Sequence, residues 1–255
     1  MREQGVIIQS VDRAIQIVDL FTGDLTELGI TEIAQMMNLG KSTVYGLVNT
    51  LLAAGYLEQN PENKKYHLGL KLFELGSIVQ ERMNIREIAL PYLKNISKEF
   101  GMTVHMGLYQ DWEVIYIDKV DAPNTRIVYS QVGKRAPMYC TGIGKAVLAN
   151  LKAADIQYIL RTQSREKLTP HTRIEDGQIL QELEEIRKKG YSVDDEEVEI
   201  GLKCVAVPIF DYRKNPVAAI SISSTAAVME RMNIEEAASK LKRNAMEISR
   251  KLGFR

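Results

Sequence analysis

Residues 31–54 read TEIAQMMNLGKSTVYGLVNTLLAA, and this stretch decides how the amino-terminal part of the chain folds. Thr31 is placed to cap a helix over Glu32 to Met37 that buries Ile33, Ala34 and Met37. Ala34 is small where a second helix would cross. Asn38, four positions on, tolerates the left-handed backbone of a tight turn. After Leu39-Gly40 a further helix carries Val44, Leu47, Val48 and Leu51 at helical spacing, with Gly55 where a helix stop is expected. A small residue, a turn residue and apolar anchors in that order are what a helix-turn-helix needs. The outward face of the second helix then presents Lys41, Ser42, Thr43, Tyr45, Gly46 and Asn49. Short polar, aromatic and basic groups at a helix start suit base edges and phosphates in a major groove. The same spacing also fits a helical hairpin with a solvated face.

Outward from this stretch, Ser10 is placed to cap an earlier helix with the apolar face Val11, Ala14, Ile15, Val18 and Phe21. On the other side, Tyr56-Leu57-Glu58 and Lys65 to Leu68 flank the turn residues Asn60-Pro61-Glu62-Asn63 and predict a hairpin. Lys64 and Lys65 lie at its tip, where a wing would touch the DNA backbone. Charge argues the other way. Residues 1–70 hold five basic residues against eight acidic ones, a net of −3. Phosphate contacts dominate DNA affinity, so one such module alone binds weakly and two copies are expected to act together.

From residue 70 the pattern changes. A connecting helix over 70–83 has the stripe Leu72, Leu75, Val79 and Met83. A helix from Arg86 to Phe100 follows, with Pro91 near its start. Then alternation sets in at Val104, Met106 and Leu108, with a return strand over Glu113 to Val120 and a third near Arg126 to Ser130. Helices are expected at 142–151, 153–161 and 174–189. Strands Lys203 to Phe210 and Val217 to Ser223 and a closing helix capped by Asn233, with Glu236 in the capping box, complete the chain. Helices beside an antiparallel sheet make this part an α+β domain.

Within it, Ser221 and Ser223 are two apart on one strand and so share a face, and Cys204 lies on the neighbouring strand. Hydroxyls and a thiol on an inner face suit a small polar ligand. Gly142 and Ile143 begin a helix whose first amides suit a carboxylate. Blander readings exist for each. The serines also suit a sheet edge, Cys204 a core position, and the acidic run Asp194 to Glu197 a solvated loop. Alternation points His105 outward or to a subunit contact, and Trp112 reads as a loop anchor.

Composition excludes several classes. Of 255 residues, 45% are hydrophobic and 26% charged, and 33 basic residues balance 33 acidic ones. That is ordinary for a globular chain and not for a polyanion-coating one. No apolar run approaches ~18 residues, so no membrane span is expected. The first ten residues lack a secretory pattern, and two cysteines, Cys140 and Cys204, fit a reducing cytosol. No Gly-x-Ser-x-Gly elbow occurs, and Gly144-Lys145-Ala146 lacks the Ser or Thr and the upstream Gly of a phosphate loop. Cys140, Cys204 and Asp194 are acceptable zinc ligands, but no spacing rule supports them. The expectation is no catalytic residue, metal or cofactor.

The ordered blocks Ser10-Val11-Asp12-Arg13-Ala14, Thr31-Glu32-Ile33-Ala34, Lys41-Ser42-Thr43-Val44-Tyr45 and Gly55-Tyr56-Leu57 resemble the IclR family of bacterial transcription regulators. So do Tyr66-His67-Leu68-Gly69, Cys140 to Ala146, Gly190 to Glu197, Gly201 to Cys204 and Ala219 to Ser223. The resemblance spans roughly residues 8–230. It implies a winged helix-turn-helix over 1–69, a linker helix over 70–84 and a GAF-like effector-binding domain over 85–255. It implies a cytoplasmic repressor of double-stranded operator DNA, acting as a homodimer or homotetramer and controlled by a small organic acid. The family's effector positions match Gly142, Ile143, Asp194, Cys204, Ser221 and Ser223, with Val128 and Ala136 at wall positions. This chain departs from the family at Gly40, often Pro, and at Gly46, often Arg. The alternative is an enzymatic or purely dimerising carboxy-terminal domain, with an amino-terminal part that contacts protein.

Overall fold

The computed structural model describes residues 6–21, 25–81, 84–122 and 131–255. The chain divides into two compact units, Met1–Met83 and Asn84–Arg255.

The first unit holds α1 (Gln9–Asp19), α2 (Ile30–Met37), α3 (Lys41–Ala53), β1 (Leu57–Gln59), β2 (Tyr66–Leu68) and α4 (Leu70–Glu81). Ile17, Phe21, Ile33, Ala34, Val44, Val48, Leu57 and Tyr66 form one buried core. Two expectations shift here. Helix α1 starts before Ser10, with Ile8 as its cap and no side-chain cap bond. Its buried residue is Ile17, while Val11 and Ile15 are 53% and 56% exposed. Phe21 is buried as expected, but within α1 the inner face is turned to Ile17, on the side that packs against α3. Helix α2 also starts early. Gly29 is its cap, and the carboxylate of Glu32 accepts the Gly29 amide at 2.6 Å. Glu32 thereby does the capping expected of Thr31. The hairpin forms as predicted, and Leu28 pairs with Tyr66 to extend it on one side.

The second unit is built on a six-stranded antiparallel sheet of order β5-β4-β3-β8-β7-β6. The strands are β3 (Thr103–Gln110), β4 (Glu113–Val120), β5 (Arg135–Ala136), β6 (Ser192–Asp195), β7 (Leu202–Phe210) and β8 (Pro216–Thr225). Register puts Val104 beside Ile222 and Met106 beside Ile220. Helices α5 (Asn84–Phe100) and α10 (Ile234–Lys251) pack on the sheet and on each other. Helix α6 (Gly142–Leu148) packs on β6, β7 and β8. Helices α7 (Ala153–Thr162) and α8 (Asp176–Lys189) join its core, and α9 (Ala226–Met229) follows β8.

Several expectations are corrected. Pro91 lies well inside α5, whose face Ala89, Leu93 and Ile96 is fully buried. Packing of that face outweighs the lost amide. The expected helix 142–151 ends at Leu148. The acidic run is no solvated loop: Ser192–Asp195 is a strand paired with β7. His105 is buried rather than outward, because α6 covers the second face of the sheet as well. A third strand near 126–130 lies outside the described residues. Trp112 does anchor its turn, its ring 4.9 Å from that of Tyr158.

Candidate functional site

In the first unit the turn between α2 and α3 is set by Asn38, at φ 50 and ψ 46. The Leu39 amide donates to Ala34 O at 3.0 Å, so the α2 terminus is closed and the chain is turned into α3. Gly40 caps α3 without a side-chain bond. Val44 and Val48 are wholly buried, which fixes the rotation of α3. Lys41, Ser42, Thr43, Tyr45 and Gly46 are exposed on the opposite side, with Asn49 half-buried. A Cβ on Gly46 would meet nothing within 4 Å.

The wing is braced from within. The Glu27 carboxylate accepts from Asn60 at 2.9 Å and from Asn63 at 2.6 Å, and these bonds hold its pKa below the usual carboxylate range. Lys65 Nζ reaches Glu32 Oε1 at 3.0 Å. Lys64 is exposed at the tip with φ 60. Of the two lysines expected at the tip, one therefore ties the wing to α2 and the other faces solvent.

In the second unit one face of the sheet carries His105, Ser221, Ser223, Cys204 and Asp194, brought side by side by register. His105 pairs with Ser221, Ser223 with Cys204, and Cys204 with Asp194. A small, narrow cavity opens against this face. Thr141, Gly142 and Ile143 at the start of α6 close it, and Tyr116, Val198 and Leu202 complete its wall. Thr141 caps α6 through the Gly144 amide at 3.0 Å. Gly144 must be glycine, since a Cβ there would lie 2.4 Å from Pro137 O. Ser192 Oγ donates to Gly142 O at 2.6 Å and pins the helix start to β6.

Burial sets the protonation of this wall. His105 is pushed down to about 3 by burial and by Lys119, so its ring is neutral, with Nδ1 3.2 Å from Ser223 Oγ. Burial raises the Cys204 thiol and pushes Cys140 up to about 12, so both sulfurs are inert protonated thiols. Asp194, 2% exposed, is pushed up to about 7 by burial, against the pull of Lys145 and of the Glu197 and Val198 amides.

Behind Asp194 lies an ion network the sequence did not announce. Lys145 is fully buried, and its Nζ bonds Glu197 Oε1 and, at 2.6 Å, Glu182 Oε1. Arg173 Nη1 reaches the same Glu197 oxygen at 3.1 Å. The Glu197 amide donates to Asp194 Oδ1 at 2.9 Å, which links the network to the cavity.

Six of the eight expected effector positions thus surround one cavity. Ala136 does not line it; it sits on β5, paired with Val114. Val128 lies outside the described residues. His105, Tyr116, Thr141, Val198 and Leu202 were missed, and of these only His105, the ladder partner of Ser221, could have been signalled by strand pairing. Among the described residues no group of three or more metal-ligating side chains comes together. Among the described residues, too, no helix is long and apolar enough to cross a membrane.

Residues 10–61 match the family described as IclR helix-turn-helix domain, and residues 78–250 match Bacterial transcriptional regulator IclR C-terminal. The chain is 38% identical to the HTH-type transcriptional regulator XynR of Escherichia coli K12, over 97% of this chain and 98% of that protein. It is 33% identical to the transcriptional repressor IclR of the same organism, over 85% and 80%. Among solved structures it is similar to the Thermotoga maritima IclR, with 38% identity, a TM-score of 0.74 and coverage of 96% and 99%. An IclR homologue complexed with 4-hydroxybenzoate from Microbacterium hydrocarbonoxydans shares the fold, at 21% identity, a TM-score of 0.81 and coverage of 95% and 98%.

Proposed function

This chain belongs to the IclR family of bacterial transcriptional regulators, and from that membership we propose how its parts share the work of a DNA-binding regulator. Residues 1–69 read a double-stranded operator with α3 in a major groove. Lys41, Ser42, Thr43, Tyr45 and Asn49 meet base edges and phosphates, and Gly46 lets the helix backbone come close. Lys64 reaches a flanking phosphate from the wing, while Lys65 sets the wing's position. The supporting observation is the rotation of α3, buried at Val44 and Val48 and open at Lys41 to Thr43.

Residues 85–255 bind a small organic acid at Gly142, Ile143, Asp194, Cys204, Ser221 and Ser223. The 4-hydroxybenzoate held by the Microbacterium homologue belongs to that chemical class. The helix over 70–84 carries the signal between the two. A 5–150-fold change in operator affinity needs only ~1–3 kcal/mol of coupling. The working form is a homodimer or homotetramer, since a head with net charge −3 needs a second head to hold DNA. It acts as a repressor in the cytoplasm, as the repressor relative suggests.

Footprinting of the DNA upstream of its own gene tests the reading. Two protected, near-palindromic half-sites are expected. Absence of protection at low salt would refute the DNA assignment. Asp194→Ala combined with Ser221→Ala is expected to abolish release of the operator by an acid that releases the wild-type protein. An equal response would refute the cavity assignment.

A further inference from the structure

We propose that this cavity takes up its organic acid together with a proton, the ligand carboxylate and the Asp194 carboxyl sharing one hydrogen between them. The proposal rests on the organic-acid reading above and says how that acid is held.

The geometry carries it. Among the described residues that line the cavity, none is lysine or arginine. The groups able to carry charge there are Asp194, His105, Cys204 and Tyr116. The rest of the surroundings of Asp194 can be named element by element. From β7 comes Cys204, directly opposite in the ladder. From α6 comes Lys145, from the turn before it Cys140, and from the segment after β6 Glu197. His105 on β3 and Tyr116 on β4 share the cavity wall. Behind Lys145 stand Glu182 of α8 and Arg173.

Lys145 and Arg173 bring two positive charges, and Glu182 and Glu197 bring two negative ones. Their mutual bonds leave that set balanced. Asp194 is therefore a carboxyl in excess of these cations, of which Lys145 is fully buried and Arg173 partly exposed. A ligand carboxylate would be another. Two carboxylates in contact inside a protein do not both stay ionised; they share a proton. The balanced event is one ligand anion plus one proton from solvent, giving an Asp194 carboxylic acid that donates to the ligand carboxylate. No covalent bond is made or broken. The burial-raised affinity of Asp194 for protons, to about 7, points the same way before any ligand enters.

The test is isothermal titration calorimetry on the full chain with acetate, lactate, benzoate and 4-hydroxybenzoate. Each is run between pH 5.5 and 8.5 in two buffers of different ionisation enthalpy. The acids that bind are expected to draw close to one proton per site at pH 8 and far less at pH 5.5. Their affinity is expected to fall about tenfold per pH unit above 7. In Asp194→Asn the side-chain amide donates without a proton, so proton uptake disappears. Affinity at pH 8.5 then exceeds that of wild type by about tenfold or more. Binding of an acid to wild-type protein with no proton uptake and a flat pH profile overturns the proposal and leaves the organic-acid reading standing. Failure of all four acids at 20 mM, across the pH range and in both proteins, removes that reading and the proposal with it. The wild-type proton count decides the matter even where the variant does not fold.

Discussion

Lys145 lies wholly inside the protein because its helix is pressed onto the sheet, and only the carboxylates of Glu182 and Glu197 make that position tolerable. Breaking a buried pair is far costlier than never having it. Lys145→Met is therefore expected to destabilise the chain by about 3–5 kcal/mol in urea melts, and adding Glu197→Leu to recover part of that. Asp194 sets a pH dependence. Its carboxyl moves from an ordinary 3.8 to about 7 on folding, so the folded chain binds the extra proton between those values. The resulting stability is full below about pH 4 and is lost as pH climbs through about 7. Asp194→Asn should thus compare better with wild type at pH 8 than at pH 5, by roughly 2–4 kcal/mol in paired denaturant melts. Neither residue's role was legible in sequence. The partners of Lys145 lie 37 and 52 positions away, and no periodicity links them. Ser221, Ser223 and Cys204 were legible as candidates because polar groups on an inner strand face are out of place, and Asp194 as part of an acidic run that matches the family's effector positions. His105 was misread because alternation assigns one face inward, and this sheet is covered on both.

At the level of elements, the helix-turn-helix was readable because each of its demands is local. Ala34, Asn38 and Val44 fall within one stretch, and the structure puts all three where their chemistry sends them. Caps were less readable. Gly29 offers no side chain to recognise, so the start of α2 is visible only through Glu32, whose carboxylate also holds Lys65. Glu32→Ala removes both contacts. It is expected to lower the midpoint in thermal melts and to weaken operator binding through a looser wing. Gly46 interrupts an exposed stretch of α3 with open space around it. Gly46→Ala is expected to stabilise the chain by about 1 kcal/mol, and calorimetric melting will check it. A fall in operator affinity in the same variant would mark close approach of DNA to that backbone.

For the whole molecule, charge balance governs how the regulator holds DNA. With Lys65 engaged by Glu32, Lys41 and Lys64 are the exposed cations of the reading face. On the proposed reading, two phosphate contacts per head in a pair of heads give an expected plot of log affinity against log salt with a slope of only about −4. Lys41→Ala should flatten it by roughly 2, one unit per head, in binding titrations between 50 and 200 mM salt. The six-stranded sheet has a consequence for how the chain is made. Its middle pairing joins β3, which ends at Gln110, to β8, which begins at Pro216. A ribosome emits some hundred residues between those two strands, so the sheet stays open until translation is nearly over. The amino-terminal head, whose contacts all lie within its own unit of the first 83 residues, is free to fold as it emerges. Each newborn molecule thus has its helix-turn-helix in place before the cavity of its second unit exists.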